Sequence, residues 1–294
     1  MAQTETISPR YRGLDTWSDE DVLDALWEGQ ARAVAAVRPA LPAIMAAARA
    51  MAARLGATGR IIYAGAGSSG RQAALDGAEL GATFGWPDER VRFVLAEGPV
   101  LAAGAAGGLE DDPRAGDAAM AALRPHPADA VIAVAASGRT PFTVAAALTA
   151  RSAGALVIAI ANNEGAPLLQ SADAAILLQT GPEVISGSTR MNAGTAHKAA
   201  LGLLSSLAMT RLGHVHDGLM VSLRAENSKL RDRAAGIVRA ISGCSAAAAS
   251  AALDRSGQDI KTATLVARGT DPNRAQALLR QADGNLRAAL DQMG

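Results

Sequence analysis

Cysteine and aromatic residues are scarce in this 294-residue chain. The single cysteine, Cys244, cannot form a disulfide within the chain. Only 3% of the residues are aromatic, which argues against the stacking platforms that bind single-stranded nucleic acid. Basic and acidic residues both number 28, so no net charge attracts nucleic acid or an anionic membrane. We therefore expect neither nucleic acid nor a membrane as a partner.

Long apolar runs and a targeting signal are also missing. Residues 1–6 lack the basic and then apolar order of a secretory signal. The longest apolar stretches, such as 153–161, are too short to cross a bilayer. Together with the lone cysteine, these features predict a cytoplasmic protein without a transmembrane helix.

Short apolar runs alternate with helical stretches in the middle of the chain. The pattern predicts strands over 61–64, 91–96, 130–135, 155–161 and 174–178, with helices between them. Near-continuous apolar strands that alternate with helices are typical of a parallel sheet covered on both faces. We therefore predict an α/β fold with a five-stranded parallel sheet, in a doubly wound, flavodoxin-like or Rossmann-like arrangement.

Helical segments flank the predicted sheet. Ser18 and the acidic residues after it predict a helix over 19–36, and an Ala-rich helix follows to Leu55. After the sheet we predict helices over 193–212 and 221–241, and then three short helices in the last fifty or so residues. The predicted regions are 1–55, 56–220 and 221–294.

Two Gly/Ser-rich turns directly follow two predicted strands. One is Gly65-x-Gly67-Ser68-Ser69-Gly70, and the other is Ser137-Gly138-Arg139-Thr140. Glycine lets the backbone approach a ligand, and the free N–H groups of a following helix bind anions. Tight turns alone would explain the glycines but not the clustered hydroxyls. We therefore predict a phosphorylated small molecule at the strand ends.

The first turn also matches the dinucleotide-binding pattern G-x-G-x-x-G. The next acidic residue after the following strand is Glu97, which lies 27 residues beyond Gly70 instead of about 20. A nicotinamide cofactor would also leave the second turn without a role. A phosphosugar uses both turns, so we favour it.

Further polar residues are open to two interpretations. Ser186 to Thr195 supply more hydrogen-bond donors or simply cap a helix, and Lys198 faces either the anion or solvent. Glu79 is flanked by small and apolar residues. If they desolvate its carboxyl group, that group becomes better suited to proton transfer, but most such glutamates simply lie on a solvated helix face. Glu110, Asp111 and Asp112 stand before Pro113 and are predicted to form a solvated helix start.

Taken together, these motifs resemble the N-acetylmuramic acid 6-phosphate etherases, over nearly the whole chain. The matching segments are Ile62–Arg71, Leu75–Glu79, Ala136–Pro141, Gly181–Val184 and Gly187–Met191. The resemblance implies a three-layer sugar isomerase (SIS) fold over 56–220, a small C-terminal helical module and a homodimer. No metal or organic cofactor is implied.

The resemblance also implies a reaction in peptidoglycan recycling and amino sugar catabolism. The lactyl ether of N-acetylmuramic acid 6-phosphate is cleaved to N-acetylglucosamine 6-phosphate and D-lactate by elimination and hydration. Glu79 matches the family's acid/base glutamate. The expected substrate-binding residues are Gly67, Ser68, Ser69, Ser137, Arg139, Thr140, Ser188, Thr189 and Lys198.

The chain departs from the family pattern at four positions. Gly107 replaces the family's second active-site glutamate and cannot move a proton, whereas Glu97 stands where the family has glycine. Asn192 and His197 replace the usual Lys and Gln. We hypothesise that Glu97, at the carboxyl end of a strand, partly replaces the missing catalytic carboxylate. Because of Gly107, a second interpretation is that the protein is a non-catalytic sugar-phosphate regulator, similar in architecture to the glucokinase regulatory protein. A third is that it is an isomerase of a related phosphosugar.

Overall fold

The five predicted strands form one parallel sheet. The structure, a computed structural model, describes residues 3–98 and 108–293. Within that part of the chain the strands are β1 (Ile61–Gly65), β2 (Val91–Leu95), β3 (Ala130–Val134), β4 (Leu156–Ala161) and β5 (Ala174–Leu177). Their spatial order is β2-β1-β3-β4-β5, which is the flavodoxin-like order. The predicted α/β fold is therefore confirmed.

Contacts divide the chain into two compact units. The first comprises Met1–Ala78 and Glu89–Leu207, and the second comprises Glu79–Asp88 and Ala208–Gly294. Helices that begin in the first unit are α1 (Asp19–Ala35), α2 (Leu41–Leu55), α3 (Gly67–Phe84), α4 (Pro113–Ala122), α5 (Pro141–Ser152), α6 (Pro167–Gln170) and α7 (Asn192–Arg211). The division of the chain into three regions, made from the sequence, stays a prediction.

Both faces of the sheet carry helices, as the near-continuous apolar strands predict. Ile62 and Val131 belong to a buried cluster with Phe142 of α5 and with residues of α4 and α6. Side chains alternate between the two faces of a strand, so Tyr63 points to the opposite face. There its ring lies 2.7 Å from the position that a Cβ on Gly77 of α3 would occupy. The first unit is thus a three-layer sandwich.

One stretch, Asp19–Leu55, is long and apolar enough to cross a membrane. The core helices of soluble proteins can have the same length and composition. In this chain a short 3-10 turn, Arg38–Ala40, separates α1 from α2. The buried side of α2 includes Ile44 and Met51, and this helix contacts β4 and β5. Helix α2 therefore has the packing of a core helix.

The second unit is helical and corrects two expectations. Its remaining helices are α8 (Ser228–Ser242), α9 (Ala246–Arg255), α10 (Ile260–Ala267), α11 (Pro272–Gln281) and α12 (Leu286–Asp291). The prediction of three short helices at the end is wrong, because three turns separate four helices and each helix has its own capping side chain. The helix predicted from residue 221 begins only at Ser228, where the Asn227 side chain accepts a hydrogen bond from the Leu230 amide.

Candidate functional site

The first Gly/Ser turn leads directly from β1 into α3. Gly67 has a φ of +55°, a conformation that favours glycine. A Cβ on Gly70 would lie 2.9 Å from the carbonyl carbon of Gly65, so only glycine lets the helix approach the strand this closely. The backbone geometry therefore explains why both positions are glycine, and this explanation is compatible with a ligand site.

A buried carboxylate fixes α3 against its neighbours. Asp76 accepts hydrogen bonds from the Tyr63 hydroxyl of β1 at 2.6 Å and from the Ser205 hydroxyl of α7 at 3.0 Å. Burial, and then the negative charge of Asp76, raise the pKa of Tyr63 well above its usual value, so the phenol keeps its proton and donates it. The network joins β1 and α7 to the middle of α3.

The second turn leads from β3 into α5. Gly138 has a φ of +63°, and a Cβ there would lie 2.5 Å from the Cβ of Ala166. The half-buried Ser137 accepts a hydrogen bond from the Arg139 amide at 3.1 Å. Thr140 precedes α5, and its side chain makes no capping hydrogen bond. The first turn of α5 thus has N–H groups that Thr140 leaves without a side-chain acceptor.

The structure brings these two turns together. Strands β1 and β3 are neighbours, with Gly65 paired to Val134. Across this pair the Ser69 hydroxyl, which is 6% exposed, accepts a hydrogen bond from the Ala136 amide at 3.2 Å. Ligands of doubly wound sheets bind at such a point, where connections leave neighbouring strands in opposite directions.

Two carboxylates approach the start of α3. The Glu97 side chain follows β2 and accepts a hydrogen bond from the Gly67 amide. A Cβ on Gly67 would lie 4.0 Å from Oε1 of Glu97 and 3.8 Å from Oε2 of Glu110. Sequence reasoning missed this position of Glu110, because its neighbours indicate only a helix start. Gly107, the glycine that departs from the family pattern, lies outside the described residues.

Glu79 occupies an exposed position on α3. It falls in the part of this helix that belongs to the second unit. Its proposed role therefore depends on the sequence match alone.

The third polar cluster, Ser186 to Thr195, forms turns that lead into α7 and includes the start of this helix. Ser188 and Thr189 are half-buried there, as is Lys198 on the helix itself. The carboxylate of Glu183, only 1% exposed, accepts hydrogen bonds from the amides of Asn192 at 2.8 Å and Ala193 at 2.9 Å. Burial raises the pKa of Glu183, although these two amides act in the opposite direction. The start of α7 therefore already holds a carboxylate of the protein.

Asn162, which follows β4, connects the ends of two strands to α7. Its Nδ2 donates hydrogen bonds to the Leu178 carbonyl at 3.0 Å and to the Thr180 hydroxyl at 3.2 Å. Its Oδ1 is therefore the acceptor for Nε2 of His197, 2.7 Å away. Burial lowers the pKa of His197 to about 4, so the ring is neutral at pH 7. A neutral imidazole that donates one hydrogen bond can take the place of the glutamine usual in the family.

Two histidines and an aspartate in the second unit, His214, His216 and Asp217, have spacing that weakly suggests a metal site. Nε2 of His216 lies 3.5 Å from the Asp217 carboxylate, and Arg287 also pairs with Asp217. Within residues 3–98 and 108–293, no three His, Cys, Asp or Glu side chains are grouped in a way that could hold a metal ion.

A family model of the SIS domain matches residues 114–205. The N-acetylmuramic acid 6-phosphate etherase of Deinococcus radiodurans is 46% identical, covering 98% of this chain and 95% of that protein. The etherase of Serratia proteamaculans is 41% identical, with coverage of 98% and 97%. The chain belongs to the N-acetylmuramic acid 6-phosphate etherase family.

The match to the etherase family extends over both compact units, since 98% of the chain is aligned with these relatives. A solved phosphoheptose isomerase from Francisella tularensis is 21% identical, with a TM-score of 0.49, and covers 66% of this chain and 100% of that one.

Proposed function

We propose that this protein is a carbon–oxygen lyase that cleaves the D-lactyl ether of N-acetylmuramic acid 6-phosphate. The products are N-acetylglucosamine 6-phosphate and D-lactate. The observation that carries the proposal is the 46% identity to a named etherase over 98% of the chain. The two linked Gly/Ser turns at the strand ends support it, since they suit a phosphorylated ligand.

The substrate's phosphate is assigned to the start of α5. Among the starts of α3, α5 and α7, the start of α3 meets the Glu97 carboxylate and the start of α7 meets the Glu183 carboxylate. Only the start of α5 is approached by neither carboxylate and has no capping bond from Thr140, so its N–H groups suit a dianion. Ser137 and Thr140 belong to the turn before α5, and their hydroxyls are assigned as further donors to the phosphate.

The remaining substrate-binding residues are assigned by their position in the three clusters. Ser69 is assigned a different role, because its hydroxyl already accepts a hydrogen bond from the Ala136 amide of the second turn. It supports the loop and has its own proton left to donate. The groups assigned to sugar or phosphate oxygens are Ser68, Arg139, Ser188, Thr189 and Lys198. Gly67 is assigned to the site because it lets a ligand approach the backbone closely, since its own amide donates to Glu97.

The reaction needs groups that move protons. In the open-chain sugar, the proton on C2 is acidic because the enolate that forms is shared with the C1 aldehyde. The enolate expels lactate from C3, which leaves a C2–C3 double bond. Water then adds its oxygen to C3, and a proton returns to C2. Over the whole reaction one water molecule is consumed.

Two glutamates are assigned to these proton transfers. Glu97 removes the proton from C2, in place of the carboxylate that Gly107 cannot supply. Its place beside the Gly67 amide, at the first turn, supports this assignment. Glu79 matches the family's acid/base residue, and it protonates the departing lactate and then helps to activate water.

We also propose a cytoplasmic homodimer that acts in peptidoglycan recycling. Leu23, Trp27 and Val34 lie on one side of α1 and are 65%, 70% and 55% exposed. A second copy of the chain would cover this apolar face. Trp27→Glu is then expected to give a monomer in sedimentation experiments, whereas wild type sediments as a dimer. A monomeric wild type would contradict the assignment.

The test of the proposed function measures D-lactate release and ligand-induced thermal stabilisation on the same purified protein. Lactate release from N-acetylmuramic acid 6-phosphate is the expected result. Stabilisation without release would favour the non-catalytic regulator, because a ligand that prefers the folded state raises its apparent stability. Neither effect would point to a different phosphosugar.

Two variants test the assigned glutamates. Glu79→Gln and Glu97→Gln are each expected to lower kcat roughly 10²- to 10⁴-fold, the usual contribution of a general acid or base. Glu110→Gln serves as the matched comparison, since its carboxylate approaches the same helix start. A Glu97→Gln enzyme that works at the parent rate would remove Glu97 from the mechanism, and the same holds for Glu79.

A further inference from the structure

The N-terminal turn, Gln3–Glu5, is a short 3-10 turn. Its middle residue, Thr4, is completely buried. The amides of Gln3 and Thr4 both donate hydrogen bonds to Oδ1 of Asn163, the latter at 3.4 Å. Asn163 is more than 150 residues away in sequence and only 5% exposed.

Asn163 also reaches the second Gly/Ser turn. Its Nδ2 donates hydrogen bonds to the Thr4 hydroxyl at 3.2 Å and to the Ala136 carbonyl at 2.9 Å. Ala136 directly precedes Ser137. One buried amide side chain therefore joins the N-terminal turn to the loop assigned to phosphate.

The other side of the N-terminal turn faces the third polar cluster. The Ser186 hydroxyl lies 3.5 Å from the Glu5 carbonyl oxygen, at the limit of a hydrogen bond. A Cβ on Gly187 would lie 3.3 Å from Oε2 of Glu5. Glu5 is also close enough to Glu183 for its negative charge to act on that carboxylate. The turn thus lies against the segment that carries Ser188 and Thr189.

We infer that the turn Gln3–Glu5, held by Asn163, is a positioning element that sets the second Gly/Ser turn relative to the third polar cluster. The inference rests on the proposed function for the identity of the ligand. Loops that are ordered before binding spare the ligand the entropic cost of ordering them. The turn therefore acts on substrate affinity more than on the chemical step.

Thr4→Val and Thr4→Ser form the matched pair for the test. Valine keeps the size of the buried side chain but removes the oxygen that accepts the bond from Asn163, whereas serine keeps that oxygen. The first readout is hydrogen–deuterium exchange of residues 136–140 and 185–190 without ligand. We expect faster exchange in both segments for Thr4→Val and wild-type exchange for Thr4→Ser.

The second readout is the division of the effect between KM and kcat. Thr4→Val is expected to raise KM for N-acetylmuramic acid 6-phosphate about fivefold, the effect of one neutral hydrogen bond, with kcat nearly unchanged. Thr4→Ser should restore the wild-type KM. If the turn has only a structural role, Thr4→Val would lower the melting temperature without changing KM or the exchange of the two segments. That result would overturn the inference.

Two further measurements keep the outcomes distinct. If Thr4→Val unfolds, Ser186→Ala replaces it in the test. This variant removes the contact between the exposed Ser186 side chain and the Glu5 carbonyl, and it should speed exchange only in residues 185–190. Unchanged exchange in that variant would then refute the inference. If wild type releases no lactate, the proposed function fails, and the exchange of the two segments decides the positioning role without it.

Discussion

The buried ring of His197 makes the stability of the first unit depend on pH. His197 is fully buried, and its Nε2 donates to Asn162. Burial lowers the pKa of His197 in the folded chain to about 4, compared with 6.5 for an ordinary histidine. In the unfolded chain the ring therefore takes up a proton first. The stability that the neutral ring provides is complete above pH 6.5 and is lost as the pH falls towards 4.

The two pKa values set the size of the effect. Between pH 7 and pH 5 the unfolded ring becomes almost fully protonated while the folded ring stays almost neutral. The linkage relation then gives a loss of about 2 kcal/mol from this one residue. Denaturant unfolding at the two pH values, followed by far-UV circular dichroism, measures the loss directly.

His197→Gln is the variant that isolates the ring. Glutamine keeps a donor for Asn162 but does not titrate, so the variant should lose about 2 kcal/mol less than wild type between pH 7 and pH 5. His126→Gln is the control, because it changes a half-exposed histidine and leaves His197 in place. If His197→Gln and wild type lose the same stability on acidification, the reasoning about the buried ring is refuted.

Three other substitutions test the packing of the first unit by denaturant unfolding. Asp129→Ala should lower the free energy of unfolding by roughly 3–5 kcal/mol, because it leaves the largely buried Arg60 guanidinium without its carboxylate. KM should stay unchanged, since Asp129 precedes β3 at the edge of the sheet away from the turns. A cost below about 1 kcal/mol would contradict this. Gly70→Ala should cost at least about 1–3 kcal/mol, because its Cβ would press on Gly65. A Cβ on Gly202 would meet none of the described atoms within 4 Å, so Gly202→Ala should be neutral or stabilising. Equal effects at the two glycines would contradict the packing argument.

The strands were predictable because their signal is local. Runs such as Val131–Val134 are apolar, β-branched and bounded by turn residues, and each predicted strand agrees with the observed one to within a residue at either end. The choice between flavodoxin-like and Rossmann-like order was not predictable, since strand order leaves no local pattern. The meeting of the first two turns followed from parallel strands, whose carboxyl ends share one edge of the sheet.

The missed contacts join residues that are distant in sequence. Asn163 holds Thr4 across 159 residues, so no spacing or periodicity could indicate it. Glu183 caps α7 from nine residues away, outside the usual position of a capping side chain. In the second unit, by contrast, the fourth short helix was readable, because Asn285 is a capping residue directly before it.

The central claim is a lyase reaction in which the ether bond breaks on the sugar side, at C3. The most direct test runs the reaction of N-acetylmuramic acid 6-phosphate in water enriched in ¹⁸O and examines both products by mass spectrometry. Elimination followed by hydration predicts one ¹⁸O at C3 of N-acetylglucosamine 6-phosphate and none in D-lactate beyond exchange of its carboxylate. Label on the lactate hydroxyl, or no lactate at all, would contradict the account.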